Sequence, residues 1–395
     1  IADGESAIAA QNSVDFGMVI RTPMIEITTI GAGGGSIAWV DRGGLLQIGP
    51  ESAGSDPGPV CYGLGSDRPT VTDANVVLGR INAEKPIGGK IGKLDVDAAK
   101  ASIRKHVAEP LNMEILTAAE AIIQVANARM AGAIRLVSVE RGHDPEKFVA
   151  MPFGGGGALH TGALIQEVGL SKALVPRYPG VTSALGCVIA DMRFDRVHTL
   201  NDTLDELDLN MLTNEMVKTA EEGNNRLNEA KIEFEQIEHL FELDMFYLGQ
   251  THTLPVRLPI DLGRARKGVG RETIRTAFKD GYQKSFGRLL DDISVKILNL
   301  RVTVIGLRPK FDLSILGPPA DCLLEDAKYG SRQVWINGKW WEADVYRRLD
   351  VPESTVVPGP ALLEQPDATI FIDPDLEGLV DNFGNLVISR KSSLQ

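Results

Sequence analysis

The stretch "KFVAMPFGGGGALHTGALIQEVGLSKALV", residues 147–175, places a run of glycines between regular patterns. The apolar residues before Gly154 predict a buried strand, and the residues after Gly157 predict a helix. The segment "KALVPRYPG" at 172–180 predicts a further strand. The order strand, glycine loop, helix, strand is typical of α/β proteins, whose ligands bind at the ends of strands.

A second glycine-rich loop lies in "TIGAGGGSIAWVD", residues 29–41. Unobstructed main-chain N–H groups suit a bound anion, and a following helix adds its dipole. Neither loop matches the Walker phosphate-binding pattern or the dinucleotide-binding fingerprint. A tight turn explains either loop alone, but two of them in one α/β domain favour a split nucleotide site in which both face one cleft. The candidate cofactor-binding residues are Gly33, Gly34, Gly35, Ser36, Gly154, Gly155, Gly156 and Gly157.

The rest of the chain of 395 residues predicts more than one domain. Before residue 200, Asp95–Val107 predicts an amphipathic helix, and a long helix is expected from Thr117, where "TAAE" forms a capping box with Glu120. After residue 200, charged helices and alternating strands predict an α+β domain that ends in short β-strands.

The amino-acid composition limits the kinds of molecule that the protein is expected to bind. The net charge of −12 and the absence of a basic stripe exclude nucleic acid. The chain has three cysteines without a CxxC pair, no apolar run of membrane-spanning length and no signal peptide, which predicts a cytoplasmic protein that binds no membrane. Cys187, in an apolar run, is expected in the core. The six histidines form no HExxH motif, so no metal site built from protein ligands is predicted, although His160 and His252 are the better zinc candidates.

Three carboxylates flank the first glycine loop, and they are the candidate catalytic residues: Asp73, Glu51 and Asp56. Carboxylates near a triphosphate hold Mg²⁺ or orient a nucleophile. The structural alternative stays open, because Thr72 or Asp73 could cap a short helix and the other two acids could bond to their own loop.

Several segments together resemble the hydantoinase A / 5-oxoprolinase family. They are "TIGAGGGSIAWVDRGGLLQIGPESAGSDPGPVCYG", "PTVTDANVVLGRI", "FGGGGALHTGALIQEVGL", "YPGVTSALGCVIADMRFD" and "YLGQTHTLPV". The resemblance implies an actin-like, sugar-kinase-like ATPase fold over residues 1–200, followed by the family's α+β C-terminal domain over 201–395. By the same resemblance, Gly33–Ser36 would be a phosphate loop and Gly154–Gly157 would lie against the adenosine. Family members carry a D-x-G-G-T phosphate loop just before the position of Ile1, so a missing upstream segment is expected, with "IADGESAIA" turning at Asp3–Gly4.

The resemblance also implies a reaction. A subunit of this family uses ATP and Mg²⁺ to phosphorylate a cyclic amide, such as hydantoin, 5-oxoproline or a related lactam, for ring-opening hydrolysis with a B-type partner subunit or domain. The expected protein is therefore a hydrolase and part of a hetero-oligomer. Two alternatives stay open: an ATP-binding subunit of a ketone carboxylase of the acetone or acetophenone type, and a non-catalytic actin-like scaffold.

Overall fold

The structure is a computed structural model that describes residues 1, 8–9, 12–14, 18–20, 24–25, 27–89, 92–290, 292–318 and 323–391. The turn expected at Asp3–Gly4 lies outside these residues. The strands are β1 (Ile8–Ala9), β2 (Asn12–Val14), β3 (Met18–Ile20), β4 (Met24–Ile25), β5 (Ser36–Val40), β6 (Leu46–Ser52), β7 (Val149–Ala150), β8 (Lys172–Val175), β9 (Met192–Thr203), β10 (Gln236–Tyr247), β11 (Leu254–Arg257), β12 (Val295–Leu307), β13 (Lys328–Ile336), β14 (Lys339–Arg347), β15 (Val356–Pro358), β16 (Ala361–Gln365), β17 (Ala368–Ile372), β18 (Leu376–Val380) and β19 (Leu386–Arg390).

The α-helices of the described residues are α1 (Val71–Val77), α2 (Val96–Ile103), α3 (Glu109–Leu111), α4 (Ile115–Val137), α5 (Thr161–Val168), α6 (Thr182–Ile189), α7 (Leu209–Glu229), α8 (Leu262–Ala265), α9 (Arg271–Phe286) and α10 (Leu324–Ala327). Among these helices, none combines the length and the apolar character that a membrane-spanning segment needs.

The chain forms two compact units that interleave along the sequence. The first unit contains Ile1–Ile27 and Cys187–Phe311, and the second contains Thr28–Gly186 and Asp312–Gln395. The C-terminal strands belong to the second unit because β19 pairs antiparallel with β8. The compact units therefore do not divide at residue 200, and a domain boundary at that position stays a prediction.

An antiparallel sheet with the strand order β11-β10-β12-β9 forms the framework of the first unit. Helix α7 packs on this sheet, and Gly223 allows a close approach: an added Cβ would lie 2.4 Å from Cγ2 of Val304. Inside the sheet, the guanidinium of Arg301 donates two hydrogen bonds to the carboxylate of Asp244, at 2.9 and 3.0 Å. The α+β character expected of this region is thus present in the first unit.

A five-stranded sheet with the order β15-β18-β19-β8-β7 organises the second unit. Strands β7 and β8 are parallel and are joined through the second glycine loop and α5, which confirms the predicted order of strand, loop, helix and strand. The prediction of a buried first strand is wrong, since β7 has two residues and Val149 is 45% exposed.

The second unit also contains a four-stranded sheet, β13-β14-β16-β17, and a two-stranded sheet, β5-β6. Trp335 of β13 packs against the core that the helices α1, α2 and α4 share. The helix expected to start at Thr117 begins at Ile115, and its N-terminus has no side-chain cap. The predicted capping box is therefore wrong at Glu120. Its carboxylate instead accepts a hydrogen bond of 2.6 Å from the main-chain N–H of Asn337, which ties α4 to the turn after β13.

Candidate functional site

Both glycine loops line one cavity of about 270 Å³ in the second unit. The first loop contributes Gly34 and Gly35, and the second contributes Gly155 and Gly156. The prediction that the two loops face one cleft is confirmed. The remaining lining residues are Tyr62, Thr72, Asn75, Ile81, Pro86, Ile87, Leu94, Leu159, His160 and Thr369.

Helix α1 holds the first glycine loop through Thr72. The main-chain N–H and the hydroxyl of Thr72 both donate to the carbonyl oxygen of Gly34, at 2.8 and 2.9 Å. The Gly33 N–H donates to the hydroxyl of Ser36, which is buried and does not line the cleft. Within the described residues, the N–H groups of Gly34 and Gly35 donate to no protein acceptor, so they are free for an anion.

The second glycine loop is fixed at its first residue. Gly154 has φ +83, and its N–H donates to the carbonyl of Pro179 at 2.7 Å. Gly155 and Gly156 have negative φ values, so the left-handed backbone of this loop falls on Gly154 alone among Gly154, Gly155 and Gly156. Their N–H groups donate to no acceptor among the described residues. A Cβ added to Gly156 would meet nothing within 4 Å, which leaves its backbone open to the cleft.

Asp73 is fully buried and its carboxylate is saturated. It accepts from the N–H groups of Val60 (3.1 Å), Cys61 (2.7 Å) and Thr70 (2.8 Å), and from the Thr70 hydroxyl (2.8 Å). Thr70, rather than Thr72 or Asp73, is the N-cap of α1, and Asp73 is the acid of its capping box. The carboxylate does not line the cleft. This geometry favours the structural alternative for Asp73 over the predicted catalytic role.

The other two predicted carboxylates lie on the surface. Glu51 forms a bidentate ion pair with Arg68, at 2.7 and 2.5 Å, and these hydrogen bonds lower the pKa of Glu51. Asp56 is exposed, in a loop that the Ala53 N–H ties to the carbonyl of Gly35 at 2.8 Å. Neither of them lines the cleft, and no residue that lines it in the described part of the chain is charged.

His160 stands in the cleft wall, where sequence reasoning had considered it only as a zinc candidate. Its Nδ1 lies 2.6 Å from Oδ1 of Asn127, and because an amide oxygen only accepts, Nδ1 is assigned the proton. Burial, together with the charge of Arg80, lowers the pKa of His160 to about 4. The imidazole is therefore neutral near pH 7, with a lone pair on Nε2.

No cysteine is among the described residues that line the cleft. Burial raises the pKa of the Cys61 thiol, and the nearby Asp73 carboxylate adds to the shift, so Cys61 stays protonated. Cys187 is exposed, which corrects its expected place in the core. Among the described residues, no three His, Cys, Asp or Glu side chains converge to hold a metal ion.

Two family models match the chain. The hydantoinase/oxoprolinase model matches residues 1–196, and the hydantoinase/oxoprolinase C-terminal domain model matches residues 207–389. Among curated proteins, the caprolactamase subunit alpha of Pseudomonas jessenii is 35% identical over 361 residues, which cover 90% of this chain and 51% of that protein. The acetophenone carboxylase gamma subunit of Aromatoleum aromaticum is 32% identical over 389 residues, which cover 94% of this chain and 51% of that protein.

A crystal structure of the ATP-dependent caprolactamase from Pseudomonas jessenii has the same fold. It aligns with a TM-score of 0.77 and 31% identity, over 98% of this chain and 56% of that chain. The predicted α/β architecture of the actin-like ATPase type is therefore confirmed. The chain spans about half the length of the relatives that it matches.

Replacing Asp73 with Asn tests the structural role of this carboxylate. Asparagine has one acceptor oxygen, so its NH₂ group would face a main-chain N–H that now donates to the carboxylate. We expect Asp73→Asn to lower the free energy of unfolding by about 2 to 4 kcal/mol, measured by urea denaturation. The control is Asp95→Asn, because Asp95 caps α2 through one hydrogen bond from Ala98 and asparagine caps equally well. Equal, small losses in both variants would show that the Asp73 carboxylate is not needed for the fold.

The low pKa of His160 predicts how stability depends on pH. In the unfolded chain the imidazole titrates near its ordinary value of 6.5, and in the folded protein near 4. Between these values the unfolded state binds a proton that the folded state does not, so His160 lowers stability as the pH falls through this window and has no effect above it. An NMR titration should place the folded midpoint near 4, with the urea-denatured protein as control; a folded midpoint near 6.5 would contradict the burial argument.

Proposed function

The chain belongs to the hydantoinase/oxoprolinase family, and we propose that it is the ATP-binding part of an amidohydrolase that phosphorylates a cyclic amide for ring opening. The observation that carries this proposal is the pair of glycine loops on one cleft. Four main-chain N–H groups, those of Gly34, Gly35, Gly155 and Gly156, donate to no acceptor in the part of the chain that the structure describes, and all four residues line the same cavity. Such groups are suited to phosphate oxygens, and the loops come from two separate parts of the sequence, as in a split nucleotide site.

The reaction follows from the chemistry of amides. A lactam carbonyl is a poor electrophile because the nitrogen lone pair delocalises into it. Transfer of the γ-phosphoryl group of ATP to the amide oxygen breaks the bond between the γ-phosphorus and its bridging oxygen and releases ADP. The phosphorylated oxygen withdraws electrons from the carbonyl carbon, so that water can add there. The ring C–N bond then breaks as the nitrogen takes up a proton, and hydrolysis of the resulting acyl phosphate releases inorganic phosphate. Catalysis of phosphoryl transfer depends mainly on positioning and charge neutralisation, and fixed main-chain N–H groups contribute to both.

Charge neutralisation at this cleft must come largely from a bound cation. The lining of the described cleft holds neither a lysine nor an arginine, whereas a triphosphate is strongly anionic. Mg²⁺ fits this arrangement, because it binds through phosphate oxygens, waters and one or two carboxylates rather than through a protein cage. Of the predicted acids, we propose Asp56 as the carboxylate that approaches this ion, since it is exposed and has no hydrogen-bond partner among the described side chains, while Glu51 is paired with Arg68.

The names of the relatives support a proposal for the partner and the substrate. One relative is named as the alpha subunit of a caprolactamase, which supports a complex with a second, B-type subunit and a lactam substrate. Another is named as the gamma subunit of acetophenone carboxylase, which keeps a ketone carboxylase as the second candidate. The full-length enzyme with its partner should release phosphate from ATP when caprolactam, 5-oxoproline or a hydantoin is added. Stimulation only by ketones with bicarbonate would favour the carboxylase, and no stimulation by either class would favour a scaffold.

Replacing Gly156 with Val tests the role of the glycine loops. A Cβ at this position meets no protein atom within 4 Å and φ is −113, so the fold tolerates the side chain, which would project into the cleft. We expect the affinity for Mg²⁺–ATP, measured by calorimetry, to fall by about tenfold or more, with Tm within a few degrees of the parent.

The matched control is Gly330→Val on β13. A Cβ there also meets nothing, and valine suits an exposed strand position outside the cleft. This variant should bind Mg²⁺–ATP like the parent, and chelation of Mg²⁺ should weaken binding in all three proteins. If Gly156→Val binds Mg²⁺–ATP with the affinity of the parent, the second glycine loop is a structural turn that does not bind the nucleotide.

A further inference from the structure

A second cavity, of about 220 Å³, lies in the same unit between α4 and α5. Helix α4 presents Glu120, Gln124 and Asn127 to it, at a spacing that places the three on one helical face. Leu159 lines both this cavity and the glycine cleft. Asn127 lines this cavity and holds the ring of His160, which lines the cleft. The two cavities are therefore separated by a single layer of side chains.

Arg80 is a buried cation in the wall of this second cavity. It is 7% exposed, and its guanidinium lies 4.9 Å over the ring of Phe371. Its Nε has no hydrogen-bond partner, and no carboxylate of the described residues forms a direct salt bridge with its guanidinium. The charges of Asp373 and Glu120 attract it without touching it. Burial lowers the pKa of Arg80, which shows the cost of keeping the charge there. A buried guanidinium that lacks a direct, hydrogen-bonded counterion is costly, so the site is suited to an anionic group from a ligand.

Carboxylates surround the remaining part of the cavity: Glu120, Glu167, Asp373 and Asp375. Among the described side chains, no lysine, arginine or histidine nitrogen forms a salt bridge with any of them. Their hydrogen bonds come from neutral groups, such as the Gln166 amide, which donates to Asp375 at 2.7 Å. Glu167 and Gln166 are exposed at the rim. Because Arg80 attracts the charges of Glu120 and Asp373, the rim carboxylates of Glu167 and Asp375 are the ones best suited to a cationic group.

We propose that this cavity binds an amino acid as a zwitterion, with its carboxylate on Arg80 and its ammonium group among the acidic side chains. The identity of the ligand rests on the proposed function, because hydrolysis of a cyclic amide yields a carboxylate and an amine on one molecule. The cavity is then a product site beside the nucleotide cleft. A neutral lactam lacks both charges, so it would form an ion pair neither with Arg80 nor with the acidic side chains.

The test is calorimetric titration of the full-length enzyme, without ATP, with 6-aminohexanoate, 4-aminobutanoate and glutamate. At least one of these should bind, and about tenfold more tightly than hexanoate or hexylamine, which each lack one charged group. Arg80→Gln should weaken binding by about tenfold or more. The double variant Glu167→Gln/Asp375→Asn at the rim should also weaken amino-acid binding. If Arg80→Gln does not fold, this double variant is the test of the proposed site. Glu353→Gln, an exposed change in the same unit, is the control and should leave affinity unchanged.

No binding of any amino acid, binding that both variants leave unchanged, or equal affinity for caprolactam would overturn the proposal. The titration contains neither ATP nor a turnover step. An enzyme that binds amino acids but shows no lactam-dependent phosphate release would therefore overturn only the proposed function. An active enzyme that binds no amino acid would overturn only the product site.

Discussion

The buried carboxylate of Asp73 is the interaction on which one wall of the cleft depends. Its oxygens hold the 3₁₀ turn at Val60–Tyr62 and the N-cap residue Thr70 at the same time. The neighbouring Thr72 then holds the carbonyl of Gly34. A carboxylate without such donors would be too costly to bury, and the donors without the carboxylate would be left unsatisfied. Asp73 and Thr72 together thus fix helix α1, the turn that carries Tyr62 and the first glycine loop relative to each other.

The sequence predicts helices, strands and loops correctly where neighbouring residues alone determine them. The unit of strand, loop, helix and strand around Gly154–Gly157 is an example, because glycine placement and apolar periodicity act over a few residues. Glu120 and Cys187 were assigned wrongly for the opposite reason. Glu120 bonds to Asn337, far away in sequence, and an apolar run does not reveal whether another element covers it. The pairing of β19 with β8 is likewise a long-range contact.

The sequence identifies the glycine loops that line the cleft, but it does not identify the side chains that form the rest of its walls. The glycines that line the cleft could be found because only glycine leaves the main-chain N–H groups unobstructed. The three acids near the first loop all look like polar surface residues in sequence, and sequence does not show which of them is buried. Sequence patterns do not show that His160 lines the cleft or that Arg80 lines the second cavity. Their positions depend on contacts with Asn127 and Phe371, which are distant in the sequence.

The central proposal is that both glycine loops bind one nucleotide. The most direct measurement is the amide NMR spectrum of the protein, with the glycines assigned, before and after addition of Mg²⁺ and a non-hydrolysable ATP analogue. The account predicts that the amide signals of Gly34, Gly35, Gly155 and Gly156 shift together with one binding curve, while those of Gly330 and Gly223 do not. Shifts confined to one loop, or two curves with different midpoints, would contradict a shared site.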